Sequence, residues 1–182
     1  MVVFDTTTLL VLIAPPDLVR VMAPGNRPVP DARERLDYLV ARLQTDKTKI
    51  SIPTPALSEA LVRAGRAGLA YVEKLSKSAA FSIDSFDILA AQEAAIMCSE
   101  ARAAGDKRGG AQGDWQKVKV DRQIVAIAKV RRAATIYSND ADIRAMAPSA
   151  GLSVVGLEEL PLPPTPPKRD MPLLDYMTDA NG

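Results

Sequence analysis

No histidine occurs among the 182 residues, and cysteine occurs once, as Cys98. The first absence removes Ser-His-Asp and Cys-His catalysis, imidazole acid–base chemistry and every His-ligated zinc site. The second removes an intrachain disulfide and any cysteine metal cluster. Cys98, in the Ala-rich run AQEAAIMCSEA, is expected to be a buried small hydrophobe. Aromatics are scarce at 4%, and neither charge dominates: 23 Lys and Arg against 22 Asp and Glu give a formal +1. A strongly basic, polyanion-coating surface is thereby excluded, while a local basic patch is not. No run reaches the ~18 apolar residues of a membrane span. The opening MVVFDTTTLLVLIAPP lacks a basic leader and is interrupted by Asp5, so a cytoplasmic protein without membrane partners is expected. Any chemistry must rest on carboxylates, hydroxyls, amines or amides, and a metal would need oxygen ligands.

What is present is 47% hydrophobic and 25% charged residues, the composition of one globular domain. Short apolar runs at 2–4, 49–53, 80–83, 135–137 and 152–155 read as buried strands. Helices are expected between them. One spans 6–13. One follows a potential Asp31 cap to about residue 45, with Leu36, Leu39, Val40 and Leu43 on one stripe. Thr54, with Pro55 behind it, opens a helix to about residue 64, and another covers 67–77. Two more cover 86–104, capped by Asp84 or Ser85, and 121–132. Residues 23–30 (APGNRPVP) and the Gly-rich GDKRGGAQGD at 105–114 read as loops. Strands alternating with helices predict an α/β fold, a parallel sheet covered on both faces, which binds ligands at the C-terminal ends of its strands. This domain is expected over residues 1–160. Six prolines in 161–182 mark an extended tail, either unfolded or a docking segment anchored by Leu173, Leu174, Tyr176 and Met177.

Acidic residues fall at the rim this sheet would make. Asp5 follows the first strand, Glu59 lies early in the helix after the second, Asp121 opens the helix before the fourth, and Asp140 and Asp142 follow that strand. Each has an ordinary reading as a cap or dipole partner. Asp121 fits it least, because at helical spacing it shares a face with Ile124, Val125 and Ala128. Carboxylates facing one another repel and drive their pKa values apart, and a hard dication, magnesium or manganese, resolves the conflict. Such a centre suits phosphodiester hydrolysis.

The four stretches VVFDTTTLL, PTPALSEAL, VDRQIVAIAKV and YSNDADI resemble, in order, the motifs of PIN-domain ribonucleases, and in particular the VapC-like toxins of bacterial toxin–antitoxin pairs. The resemblance covers about residues 2–156 and implies a PIN-like three-layer fold around a five-stranded parallel sheet. It further implies magnesium-dependent RNA cleavage, a frequent homodimer, and an antitoxin partner that covers the site. Carried over, Asp5, Glu59, Asp121 and Asp140 are the metal-binding, catalytic acids. Asp142 is a further metal candidate, and the hydroxyls of Thr6 and Ser138 orient a water or ligand, Ser138 standing where the family has threonine.

Residues 102–132 carry nine Lys or Arg against three Asp, and they include the only tryptophan. Lys117, Lys119, Arg122 and Trp115 are accordingly expected to hold RNA phosphates and stack a base, the ordinary alternative being a solvated loop and charged helix face. Two other functions compete with the endoribonuclease. One is a PIN-fold RNA- or protein-binding module without catalysis. The other is a haloacid-dehalogenase-type phosphatase with Asp5 as nucleophile, disfavoured because Thr7 stands where a second acid is required. The nuclease reading requires the carboxylates to meet in one pocket and not to be neutralised there by lysine or arginine.

Overall fold

The computed structural model describes residues 1–15 and 19–164. The four tail anchors Leu173, Leu174, Tyr176 and Met177 lie outside the described residues. Five parallel strands, β1 (Val2–Phe4), β4 (Ile50–Pro53), β5 (Phe81–Asp84), β6 (Thr135–Tyr137) and β7 (Ser153–Val155), form one sheet in the order β5-β4-β1-β6-β7. The chain builds outward from β1 to β4 and β5, then returns to β1's other side with β6 and β7. The strand order therefore reverses between β1 and β6, which is where open parallel sheets place their ligand crevice. Val2 pairs with Thr135, Val3 with Ile136 and Phe4 with Tyr137, so Asp5 and Ser138 emerge side by side.

Helices cover both faces: α1 (Thr6–Ile13), α2 (Ala32–Thr45), α3 (Thr54–Lys77), α4 (Ile88–Ala103), α5 (Trp115–Val130) and α6 (Ala141–Met146). The alternation of β1 sorts its side chains between two cores. Val3 packs with Ile124, Val125, Ile136 and Ile143 on one side. Val2 and Phe4 pack with Val11, Leu36, Ile50 and Leu157 on the other. A third cluster joins α1 to α3 through Leu9, Ile13, Ile52, Leu57 and Ala60.

Several local expectations need correction. The presumed loop at 23–30 contains a small antiparallel hairpin, β2 (Met22–Ala23) and β3 (Arg27–Pro28), turning through Gly25 and Asn26, both at positive φ. Asp31 is left-handed and makes no cap bond. Asp87, rather than Asp84 or Ser85, caps α4 by accepting from Ala90 N at 2.9 Å. Asp84 instead accepts from Arg131 Nε at 3.0 Å and from Ser51 and Ser82. Cys98 is half-buried rather than fully buried. Helix α5 begins six residues before Asp121, and that displacement reshapes the candidate site. The two helices expected over 54–77 run on as α3, broken at Gly65, whose φ of 59° and ψ of −147° are non-helical.

That conformation is open to glycine and strained for any L side chain. Gly65→Ala should therefore destabilise the fold by about 1–2 kcal/mol in urea unfolding, although alanine is the better helix former. A stabilised variant would show that the break in α3 is not required.

Candidate metal centre

The carboxylates of Asp121, Asp140 and Asp142 converge, each offering an oxygen within 4.8 Å of the others. Two neighbouring helices place them. Asp121 projects from the second turn of α5, buried on its sheet-facing side. Asp140 is the N-cap of α6, and Asp142 lies in the first turn of that helix. In each of the last two, one carboxylate oxygen holds the chain and the other faces the cluster. Asp140 Oδ1 accepts from the amides of Asp142 and Ile143 at 2.8 and 3.3 Å. Asp142 Oδ1 accepts from the amides of Gln112 and Gly113 at 2.7 and 3.2 Å, tying the Gly-rich loop to α6. Gly113 is required for that approach: a Cβ there would lie 2.2 Å from Asp142 Oδ2.

The inward-facing oxygens share one cation, the ammonium of Lys117. Its Nζ lies 2.7 Å from Asp121 Oδ2, 2.8 Å from Asp140 Oδ2 and 2.9 Å from Asp142 Oδ2. Three ammonium protons meet three carboxylates. Lys117 was expected among the RNA-binding residues. Because α5 starts at Trp115, Lys117 stands one turn before Asp121 on the same face and points into the cluster.

Asp5 adjoins the group from the other side of the switch point. It is buried, caps α1 through Thr8 N at 2.7 Å, and accepts from Ser138 Oγ. Ser138 Oγ in turn accepts from Asp140 N at 3.0 Å, linking the first and fourth motifs. Ser138 has no exposed surface, and its hydroxyl donates to the Asp5 carboxylate. Both Asp5 oxygens accept hydrogen bonds in a buried position, an unsuitable state for the nucleophile of the phosphatase alternative. Glu59, half-buried on α3, accepts from Thr6 Oγ1 at 2.6 Å and stands outside the group of three. Thr6 thus orients a glutamate, as Ser138 orients an aspartate.

Burial and like charge shape the proton affinities. Burial raises the Asp121 carboxyl to about 7, countered by the Lys117 hydrogen bond and reinforced by Asp140 and Asp142. Burial likewise raises Asp5, against the hydrogen bonds from Ser138 and Thr8. In Asp142 burial is outweighed by Lys117 and the Gln112 and Gly113 amides, and its carboxyl falls below the usual range. Burial would lower the Lys117 ammonium, but the three carboxylates raise it.

Beside the cluster, Trp115 is ringed by cations: Lys107 Nζ at 5.4 Å, Lys119 Nζ at 5.7 Å and Arg122 Cζ at 5.7 Å from its centroid. Of the expected RNA-binding residues, Lys119 is exposed and Trp115 half-exposed. Arg122 is buried, and its Nη2 donates to the Lys107 carbonyl at 3.0 Å, so it braces the loop from beneath.

The donor set fits a hard dication: three oxygen anions at ligand-like separation around a point already holding a positive charge. Among the described residues no helix is long and apolar enough to cross a membrane.

No family model matches the chain, and no curated protein does. Among solved structures it is similar to a chain in the crystal structure of VapBC2 from Rickettsia felis bound to a DNA fragment from their promoter. That match has 16% identity and a TM-score of 0.53, covering 86% of this chain and 98% of the other. A chain of DNA-bound VapBC from Salmonella typhimurium gives 17% identity, a TM-score of 0.53, and coverage of 86% and 97%. At these identities the likeness is one of fold, and it agrees with the five-stranded PIN-like architecture expected from the four motifs.

Two measurements follow from the geometry. With a folded pKa of about 7 against an ordinary 3.8, Asp121 keeps its proton in the folded state where the unfolded chain has lost it. Its contribution to stability is therefore full below pH 3.8 and falls as pH rises to about 7. In chelator-treated protein, the stability of Asp121→Asn relative to wild type should climb across that window and then level off. A difference independent of pH would contradict the raised pKa. Gly113→Ala should push Asp142 off the Gln112 and Gly113 amides, costing about 1–3 kcal/mol and exposing residues 105–114 to proteolysis. Wild-type stability and protection would show that the loop is not held this way.

Proposed function

We propose that the protein is a metal-dependent endoribonuclease and the toxin of a type II toxin–antitoxin pair. One observation carries the activity: Asp121, Asp140 and Asp142 present oxygens within 4.8 Å of one another beside the β1/β6 switch point. The pairing reading is supported by the fold shared with chains of VapBC assemblies.

A dication would be held by Asp121, Asp140 and Asp142, with Asp5 and Glu59 beside them, and magnesium or manganese suits this all-oxygen set. Once bound, it would supply Lewis acidity that activates a water and neutralises charge on the scissile phosphate. The chain's own groups do the rest. Among the described residues the Asp121 carboxylate takes a hydrogen bond only from Lys117, leaving Oδ1 to accept the proton of the attacking water. Asp140 and Asp142 are fixed through their outer oxygens, so their inner oxygens need no reorganisation. Exposed Lys119 and Lys107 can pair with backbone phosphates, and half-exposed Trp115 offers a face to a base. An antitoxin chain and a second copy of this chain complete the proposed partners.

The non-catalytic binding module is favoured by one specific observation, the Lys117 ammonium paired with all three carboxylates, a lysine in the pocket where the nuclease reading called for none. A lysine that stabilises the pocket permanently would leave the acids without a catalytic role.

RNA cleavage with added magnesium, with and without chelator, separates the two readings. Wild type should cut only with the metal. Asp121→Asn, folded by circular dichroism, should still bind RNA and lose cleavage by about a hundredfold or more. Cleavage that persists in chelator, or in Asp121→Asn, would refute the proposal, and so would a wild type that binds RNA without cutting it.

A further inference from the structure

The ammonium of Lys117 and a dication would need the same place. Nζ lies within 2.9 Å of the inner oxygens of all three aspartates. Magnesium binds carboxylate oxygens at about 2.0–2.1 Å. A dication ligated by those oxygens would overlap the ammonium, and two positive centres at that spacing repel strongly. The cluster therefore holds one or the other.

Lys117 can leave without disturbing the core. It lies in the first turn of α5, its side chain is 42% exposed, and its stem is flexible. Asp121 and Asp142 are not free in this way, being 5% exposed and fixed to buried elements. The mobile member of the cluster is the cation.

We infer that Lys117 is a tethered competitor of the dication: it pairs with the aspartates in the metal-free protein and must swing out of the pocket for metal to enter. This rests on the metal-centre reading above. Charge bookkeeping gives it direction. Three carboxylates and one ammonium sum to −2, and exchanging the ammonium for a dication leaves −1, so metal must displace a cation already well bound. The tether thus weakens apparent metal affinity and lets the chain fold before metal arrives. Because Lys117 sits four residues ahead of Asp121 on α5, a displaced ammonium would stay tethered near the pocket.

The test is metal binding, independent of cleavage. Manganese affinity is measured by titration calorimetry on wild type, on Lys117→Met, which keeps the stem and removes the charge, and on Asp121→Asn as the site control. Lys117→Met should bind at least about tenfold more tightly than wild type, and Asp121→Asn more weakly. Metal should also raise the urea midpoint of Lys117→Met more than that of wild type, the effect expected of tighter binding to the folded state. Since the metal-free variant has three uncompensated carboxylates, Lys117→Met/Asp142→Asn serves as a folded alternative and should also bind more tightly than Asp142→Asn alone. Equal or weaker binding on loss of Lys117, with wild type still binding, would overturn the competition while leaving the metal centre intact. No manganese binding to any of these proteins would overturn the metal centre itself, and the competition with it.

Discussion

Like charges cannot be gathered beneath the protein surface without a cation among them, and the rim of this sheet is organised around that constraint. Three aspartates from α5 and α6 meet within 4.8 Å, and two of them are 5% exposed. Unpaired, such a group would neutralise itself by taking up protons. Burial, reinforced by Asp140 and Asp142, raises the Asp121 carboxyl to about 7 even with Lys117 against it. The centre is assembled across several elements. The paired register of β1 and β6 delivers Asp5 and Ser138 as neighbours, Ser138 hands on to Asp140, and the Gly-rich loop grips Asp142.

A carboxylate has two oxygens, and this dissolves an opposition that the sequence sets up. Read singly, Asp5 and Asp140 are helix caps or they are ligands. The structure makes Asp140 a cap through Oδ1 and a member of the acidic group through Oδ2. Asp142 divides its oxygens likewise between loop amides and the pocket. Capping is what gives the inner oxygen a fixed direction, so the ordinary role serves the particular one. Asp121 differs in that its backbone is mid-helix, with no cap to make. Its position on the buried face of an otherwise apolar stripe is why it stood out from hydrophobic spacing.

The fold was legible because its signals are local. Five short apolar runs between helices left little choice but a parallel sheet, and all five strands lie where those runs do. The hairpin at 22–28 was hidden because strands of two residues carry no periodicity, and its turn residues look like any loop. In the site, the sequence offered five acids as a set that could meet; the structure brings Asp121, Asp140 and Asp142 together, sets Asp5 beside them through Ser138, and leaves Glu59 outside the group. The largest departure lies at 115–120, where Lys-Val-Lys-Val at 117–120 alternates with period two and conceals a helical turn. The signal that finds it is Asp114 as an N-cap residue type, with Val118 sharing the stripe of Asp121 and Val125. Starting α5 there moves Lys117 from a loop into the pocket, and turns Arg122 inward under the loop. Charge density along the sequence could not separate these two cations from Lys119, because the direction of each side chain depends on helical phase.

Phase also limits what the basic segment can do for a polyanion. Of the cations near Trp115, Arg122 is committed to the Lys107 carbonyl and Lys117 to the aspartates. The net charge offered outward is therefore smaller than composition suggests, and it is concentrated on Lys107 and Lys119, which flank the indole at 5.4 and 5.7 Å. A phosphate arriving there meets positive charge on the rim and negative charge immediately beneath. For a bound RNA such a gradient would favour the lip over the acidic floor until a cation of higher charge occupied that floor. Displacement of Lys117 would act on both terms together, reducing the negative charge below and adding an ammonium to the rim. Metal loading and phosphate binding would then reinforce each other through one flexible side chain, with no movement of the sheet or its helices.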